Sequence, residues 1–248
     1  MSVDVALHDN ATELARAIAD ALLVRLVDAQ ARHGVASVVL TGGGMGISLL
    51  RELNSHPDRD TLDWRRLDVW FGDERYLPEG HPDRNDTQAQ DALLDAVSLD
   101  PARVHLLPSP DGPAGEDADT AAELYARELE SVSGAHGTAP HFDVCLLGLG
   151  PDGHVASLFP GRPSLDAAGL VVAEHESPKP PPVRISLTYT AINTAAEVWL
   201  LASGSEKALA VRGRLTGALP TEVPAVGVAG RERTVLWVDE AAYPGVSQ

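Results

Sequence analysis

A histidine two residues after an aspartate, in a run of glycines, is the spacing in this chain with the plainest chemical use. The segment Gly148-Leu149-Gly150-Pro151-Asp152-Gly153-His154 follows the apolar run Phe142 to Leu147 and precedes an expected helical stretch, Val155 to Phe159. An imidazole exchanges protons near neutral pH, and a glycine-rich turn at a strand's carboxyl end leaves it open to a cleft. Asp152 can orient that imidazole or face a reacting carbonyl; the plainer alternative makes His154 a capping or packing residue. A second turn, Thr41-Gly42-Gly43-Gly44-Met45-Gly46, joins Val35 to Leu40 with the helical run Ile47 to Leu53. Gly42, Gly43 and Gly44 either let backbone N–H groups surround an anion at a helix start or make a tight turn.

Three charges crowd a third turn, Gly72-Asp73-Glu74-Arg75, directly after Leu67 to Phe71. Charges there must face water, pair, or meet a ligand. Asp73 and Arg75 therefore read either as a solvated ion pair or as ligand contacts, with the guanidinium offering a planar fork to phosphate or carbonyl oxygens. Two further cations come from Arg184-Ile185-Ser186-Leu187-Thr188 and Ser203-Gly204-Ser205-Glu206-Lys207. Lys207 opposes the dipole of the helix it opens, which calls for a nearby anion or a surface pairing. Arg75, Arg184 and Lys207 together make a candidate phosphate clamp.

Other chemistries lose support. Neither register of the glycines gives G-x-G-x-x-G, and G-x-x-x-x-G-K-[ST], H-E-x-x-H and G-x-S-x-G are missing from the sequence. Dinucleotides, nucleoside triphosphates, a metal-activated water and an acyl-serine route are accordingly disfavoured, so neither cofactor nor metal is expected.

Several elements must hold these turns in place. Val35 to Leu40, Leu67 to Phe71, Phe142 to Leu147, Val198 to Leu201 and Val235 to Val238 are apolar enough to be strands buried on both faces. Helical patterns lie between them, with expected starts at Asn10, Asn85, Thr120 and Ser203, each followed three residues later by Glu or Gln. Strands alternating with helices give an α/β fold with a mostly parallel central sheet and helices on both faces. Pro108 to Asp119 and Pro178 to Pro182 read as surface loops, leaving a single domain over 1–248.

Of 248 residues, 44% are hydrophobic, enough for one large core. The one cysteine, Cys145, sits in a buried strand with no disulfide partner, and Met1 to Asn10 has no leader pattern, which points to the cytoplasm. With 36 acidic against 19 basic residues the formal charge is −17, which repels nucleic acid. No apolar run approaches the ~20 residues of a membrane span. An anionic ligand would need a local positive field raised against that background.

In order and over roughly Val5 to Asp239, these motifs resemble the 6-phosphogluconolactonases. The most specific stretch is Gly148 through His154 with Val155-Ala156-Ser157-Leu158-Phe159-Pro160, supported by Gly72 to Arg75, Arg184 to Thr188 and Ser203 to Lys207. The resemblance implies a modified Rossmann-like fold shared with glucosamine-6-phosphate deaminases, a sugar phosphate lactone substrate and no cofactor. It also implies His154 as the proton-transfer residue, with Arg75, Arg184 and Lys207 among the substrate contacts. Two departures stand out: Thr41-Gly42-Gly43-Gly44-Met45-Gly46 replaces a common Ser-Gly-Gly-Ser-Thr-Pro, and Arg84-Asn85 stands where Ser-Asn is usual. The implied reaction is attack of water on the lactone carbonyl with His154 as base, in a monomer or homodimer. Deaminase chemistry uses an acid shortly after the histidine, and Val155 to Phe159 contains none. A non-catalytic sugar phosphate sensor would need a DNA-binding helix pair, for which length and basic charge are lacking.

Overall fold

Runs as apolar as Val38-Val39-Leu40 demand cover on both faces, and in the computed structural model, which describes residues 3–133, 141–243 and 245, they have it. The expected domain span 1–248 includes residues outside that set. Six strands pair in the order β1 (Asp4–His8), β9 (Arg233–Asp239), β8 (Glu197–Ala202), β5 (Val144–Gly148), β2 (Ala36–Leu40), β3 (Leu67–Phe71). Every pairing is parallel, with Val38 opposite Val144 and Val39 opposite Cys145 at the centre. All five residues of β2 are buried, as are Val144, Cys145, Leu146 and Leu147 of β5. One contiguous apolar cluster runs from Leu14 to Ala242.

From β2 the chain passes outward to β3, whereas from β5 it passes the other way to β8. The boundary between β2 and β5 is thus a switch point, where the loops leaving the two strands diverge and open a crevice at their carboxyl ends. Helix α1 (Ala11–His33) packs on α2 (Gly43–Ser55) and on the sheet. It starts at the expected cap: the Asn10 side-chain oxygen accepts the N–H groups of Thr12 and Glu13, each at 3.0 Å. Helix α4 (Ala118–Val132) reaches β3 through Tyr125, whose hydroxyl accepts the Phe71 N–H at 3.2 Å.

A second sheet was not expected from the sequence. Strands β4 (Asp73–Arg75), β7 (Arg184–Leu187) and β6 (Val171–Glu174) pair antiparallel, and the register sets Arg75 directly opposite Arg184. Like charges facing each other across a ladder are unfavourable unless something negative meets them.

Other expectations need correcting. Val155 to Phe159 is a series of turns with one bridge between Val155 and Leu158, because Ala156 takes a positive φ of 49° that a helix cannot use. Asp117, not Thr120, caps α4, accepting the N–H groups of Asp119 and Thr120 at 3.1 Å each. Ser203 caps no helix; its hydroxyl donates to Asp239, and a single 3-10 turn, Ser205–Lys207, leads into α6 (Ala208–Thr216). Asn85 is the first residue of α3 (Asn85–Ala92) rather than its cap. The acceptor comes from another element: the Glu74 carboxylate on β4 takes the N–H groups of Asn85 at 2.7 Å and Asp86 at 2.9 Å. Beneath it Arg84, only 1% exposed, grips Asp86 at 2.6 Å and the carbonyls of Leu77 and Leu107 at 2.9 and 2.8 Å.

Burial pushes the Glu74 carboxyl up from 4.5 to about 7, with the nearby Asp86 charge adding to the rise against the pull of Arg84 and the two amides. A carboxyl raised on folding stabilises the fold most at pH below its unfolded value, and that contribution is lost as pH climbs through the folded value. Between pH 4.5 and about 7, Glu74 should therefore draw stability down with rising pH. Glu74→Gln should flatten that fall in melting temperature across this window. Parallel pH profiles of wild type and variant would exclude Glu74 as the source.

Candidate active site

The crevice at the β2–β5 boundary is a cleft of about 540 Å³. Its floor is the Thr41 to Gly46 turn, tied to β5 where the Thr41 hydroxyl accepts the Gly148 N–H at 3.2 Å. Gly43 there has φ of +79°, a left-handed conformation that glycine adopts without steric cost. No side chain caps the first turn of α2, so its N–H groups and its positive dipole end are available to an anion.

His154, from the turn after β5, forms one wall, against Phe159 at 4.6 Å between ring centroids. Its Nδ1 makes a short hydrogen bond with an Asp152 oxygen. Asp152 stands behind the ring and is not itself among the cleft-lining residues. Burial works to raise the Asp152 carboxyl, but the hydrogen bond and charge of His154 outweigh it and hold the group at about 2. An ionised carboxylate only accepts, so the shared proton belongs to Nδ1, and in the neutral form of the ring the lone pair is on Nε2. The ring lies directly over Gly150: a Cβ there would overlap its Nδ1 and Cε1 and come within 2.6 Å of the Asp152 oxygen.

Facing this pair are Arg75, Lys179, Arg184 and Lys207. None of these four is paired with a carboxylate among the described residues. Elsewhere Arg25 pairs with Glu197, Arg84 with Asp86 and Arg103 with Asp68. The two cleft arginines are fixed by neutral acceptors instead. Arg75 Nη1 donates to the Asp83 carbonyl at 2.7 Å and to Asn85 Oδ1 at 2.8 Å. Arg184 Nε donates to the Pro181 carbonyl at 2.8 Å and its Nη2 to those of Pro180 and Lys179 at 3.1 and 3.2 Å. Burial lowers the pKa of Arg184 against the pull of the Asp73 charge, with Arg75 adding to the fall, and burial and then the Lys179 charge lower that of Lys207. Four cations thus outnumber the two carboxylates of the cleft, Asp73 and Glu206, and none is directly paired with either, an arrangement that favours an anion.

Asp73 also lines the cleft, but its oxygens are engaged, by the Ser157 hydroxyl at 2.7 Å and the Asn85 amide at 3.3 Å. That bond staples the β3–β4 turn to the His154 turn. Arg84, the departure from the usual pattern, lies buried under α3 and outside the cleft. Sequence reasoning missed Asn85, Lys179 and Glu206, all of which line the cleft. Lys179 was legible as a lone cation in a proline run, had that loop been placed against the site. Within the cleft, no three His, Cys, Asp or Glu side chains of the described residues converge at metal-binding separations.

Residues 9–237 match the profile of a family described as glucosamine-6-phosphate isomerases/6-phosphogluconolactonase. The chain belongs to this family. A protein named 6-phosphogluconolactonase from Streptomyces coelicolor is 55% identical over 238 residues, 95% of this chain and 91% of the relative. One of the same name from Mycobacterium tuberculosis is 43% identical, covering 98% of each. The crystal structure of 6-phosphogluconolactonase from Thermotoga maritima superposes with a TM-score of 0.83 at 26% identity, covering 96% of this chain and all of that one. The isomerase/lactonase family therefore accounts for the fold over nearly the whole chain, and the α/β reading with a mostly parallel sheet holds.

Replacing Arg184 with Leu removes the bonds that pin the Lys179 to Pro181 carbonyls. Amide hydrogen exchange at Ser177, Lys179 and Val183 should speed up by about tenfold or more while the central sheet stays protected. Unchanged exchange at these positions would mean that Arg184 does not hold the loop.

Proposed function

We propose that this chain hydrolyses 6-phospho-D-glucono-1,5-lactone to 6-phosphogluconate, a step of the oxidative pentose phosphate pathway. The reading rests on one convergence: a carboxylate-oriented imidazole and four cations not neutralised by carboxylates share a single cleft. A lactone carries one phosphate to be held and one activated ester to be opened, and the cleft offers a device for each.

Phosphate binds to Lys179 and Lys207, to Arg75 and to the open N–H groups of Gly42 to Met45. Arg184 contributes charge and, through its carbonyl bonds, sets where Lys179 stands. Asp73, as an acceptor, suits a sugar hydroxyl better than a phosphate, which it would repel.

At the other end, Nε2 of His154 takes a proton from water as the oxygen attacks the carbonyl carbon. Nδ1–H stays on Asp152, whose negative charge stabilises the imidazolium that forms. Backbone N–H groups or a guanidinium meet the carbonyl oxygen as it becomes negative. When the tetrahedral intermediate collapses, the carbon–ring-oxygen bond breaks and the imidazolium gives its proton to the departing oxygen. The sum is one water consumed and one carboxylic acid formed, and His154 returns neutral. No acyl-enzyme is required, because an ester of this kind yields to one positioned base.

The working unit is one 1–248 domain, in the cytoplasm as monomer or homodimer, with neither nucleic acid nor an organic cofactor as partner. Supporting this are a cleft built from one chain's residues, a buried unpaired Cys145, and the acidic charge. No helix among the described residues is long and apolar enough to cross a membrane.

His154→Ala should lower kcat by roughly 10²–10⁴-fold while product binding stays near wild type. Lys179→Ala and Lys207→Ala should chiefly raise KM. The assay follows acid release from fresh δ-lactone with spontaneous hydrolysis subtracted; wild-type turnover in His154→Ala would remove the histidine from the reaction. Glucosamine 6-phosphate should release no ammonia, and ammonia release would move the chain to the isomerase branch of its family.

A further inference from the structure

At the opposite end of the sheet from the cleft, three potential metal ligands meet. His33 lies in the last turn of α1, while His141 and Asp143 precede β5. Ligand atoms of all three lie within 4.8 Å of one another. We infer that His33, His141 and Asp143 bind one divalent transition-metal ion of the zinc class, away from the catalytic cleft.

Geometry carries the inference. Asp143 is 1% exposed, and its Oδ2 accepts the Ser37 N–H at 2.9 Å, which fixes the carboxylate plane. The other oxygen, Oδ1, is approached by His33 Nε2 at 3.3 Å and by His141 Nε2 at 3.5 Å. Four ligands on a tetrahedral zinc with bonds of ~2.0–2.1 Å stand about 3.3 Å apart, so these two separations already match edges of that figure. The imidazoles stand edge to face at 85°, both turning Nε2 toward the same point. The His33 and His141 side chains are 43% and 50% exposed, so they can close the remaining gap, and water can complete the coordination. The backbone bond to Oδ2 is the outer contact that usually orients a ligating carboxylate. Two imidazoles with one carboxylate favour zinc, cobalt or nickel over magnesium or calcium, which prefer all-oxygen sites.

The rival arrangement is purely electrostatic, with both rings donating N–H to Oδ1 and the pair serving only to neutralise a buried carboxylate. It requires protonated Nε2 atoms, whereas an ion requires their lone pairs. Occupied, the site would clip the end of α1 to the lead-in of β5, one of the two strands that meet at the switch point.

The test uses the full chain, stripped by a chelator and titrated with Zn²⁺ in a calorimeter and with Co²⁺ by visible absorption. One ion per chain and the intense bands of four-coordinate cobalt are expected. His33→Ala and His141→Ala should each weaken binding by about tenfold or more, leaving lactone hydrolysis as in wild type, and His154→Ala should bind as wild type does. Uptake that survives both histidine replacements, or no saturable uptake, overturns the proposal. A readout on unaltered protein guards against misfolded variants: Co²⁺ should broaden the amide signals of Ser37 and Val144, and broadening centred on His154 instead would equally overturn it.

Discussion

An anion has to be held by a chain that is itself strongly anionic, and the fold meets this constraint by controlling what the cleft cations are bonded to. Arg25, Arg84 and Arg103 elsewhere give their charge to carboxylates. Arg75 and Arg184 are held by carbonyls and an amide oxygen, which orient a guanidinium without cancelling it. The pairing of Arg75 opposite Arg184 across β4 and β7 would be a fault in an isolated sheet. At the cleft it sets two guanidinium groups on adjacent strands, each held by neutral acceptors. Pre-placed charge of this kind needs little reorganisation during reaction, which is where electrostatic catalysis has its advantage over water.

The same constraint explains why the second sheet exists. Parallel strands ending at a switch point supply turns on one side only: the Thr41 turn from β2 and the His154 turn from β5. Cations must come from elsewhere to face them. The chain leaves β3 at Gly72, where the Gly72 N–H still bonds to the Leu40 carbonyl, and at once starts β4 in a new sheet. That small sheet overhangs the carboxyl ends of β2 and β5. It is locked to the His154 turn by the Asp73–Ser157 bond and by the Ser186 hydroxyl, which accepts the Ser157 N–H at 3.1 Å.

Sequence alone made the central sheet and the chemistry-bearing turns readable for one physical reason. β2, β3, β5, β8 and β9 are buried over most of their length and so are predominantly apolar. Turns at their ends stand out as glycine and charge against that background. β4, β6 and β7 gave no such contrast: they are three or four residues long, carry Asp, Glu and Arg, and owe their pairing to tertiary position. Caps failed for a related reason. Asn10 caps through its own side chain and was readable, but α3 is capped by Glu74, eleven residues upstream on another element, and no local pattern announces that. Lys179 was hidden likewise, since its place in the cleft depends on Arg184 reaching back to the loop that bears it. His33 and His141 lie 108 residues apart in the sequence, and only the fold brings them to one carboxylate.

Two populations of charge, a paired layer and an unpaired one, are stacked within a few residues of each other, and their separation is what lets the site be both stable and reactive. In the lower layer Arg84, Asp86 and Glu74 are almost wholly buried and bonded to one another, to helix amides or to carbonyls. A buried pair of this sort adds little net stability, yet removing one partner costs roughly 3–5 kcal/mol because the other is stranded. Arg84, standing where a serine is usual, is thus a buried support outside the cleft. It fixes α3 from beneath, α3 fixes Asn85, and Asn85 aims Arg75 into the cleft at 2.8 Å. The upper layer can leave its cations without counterions only because the lower layer holds the backbone that carries them.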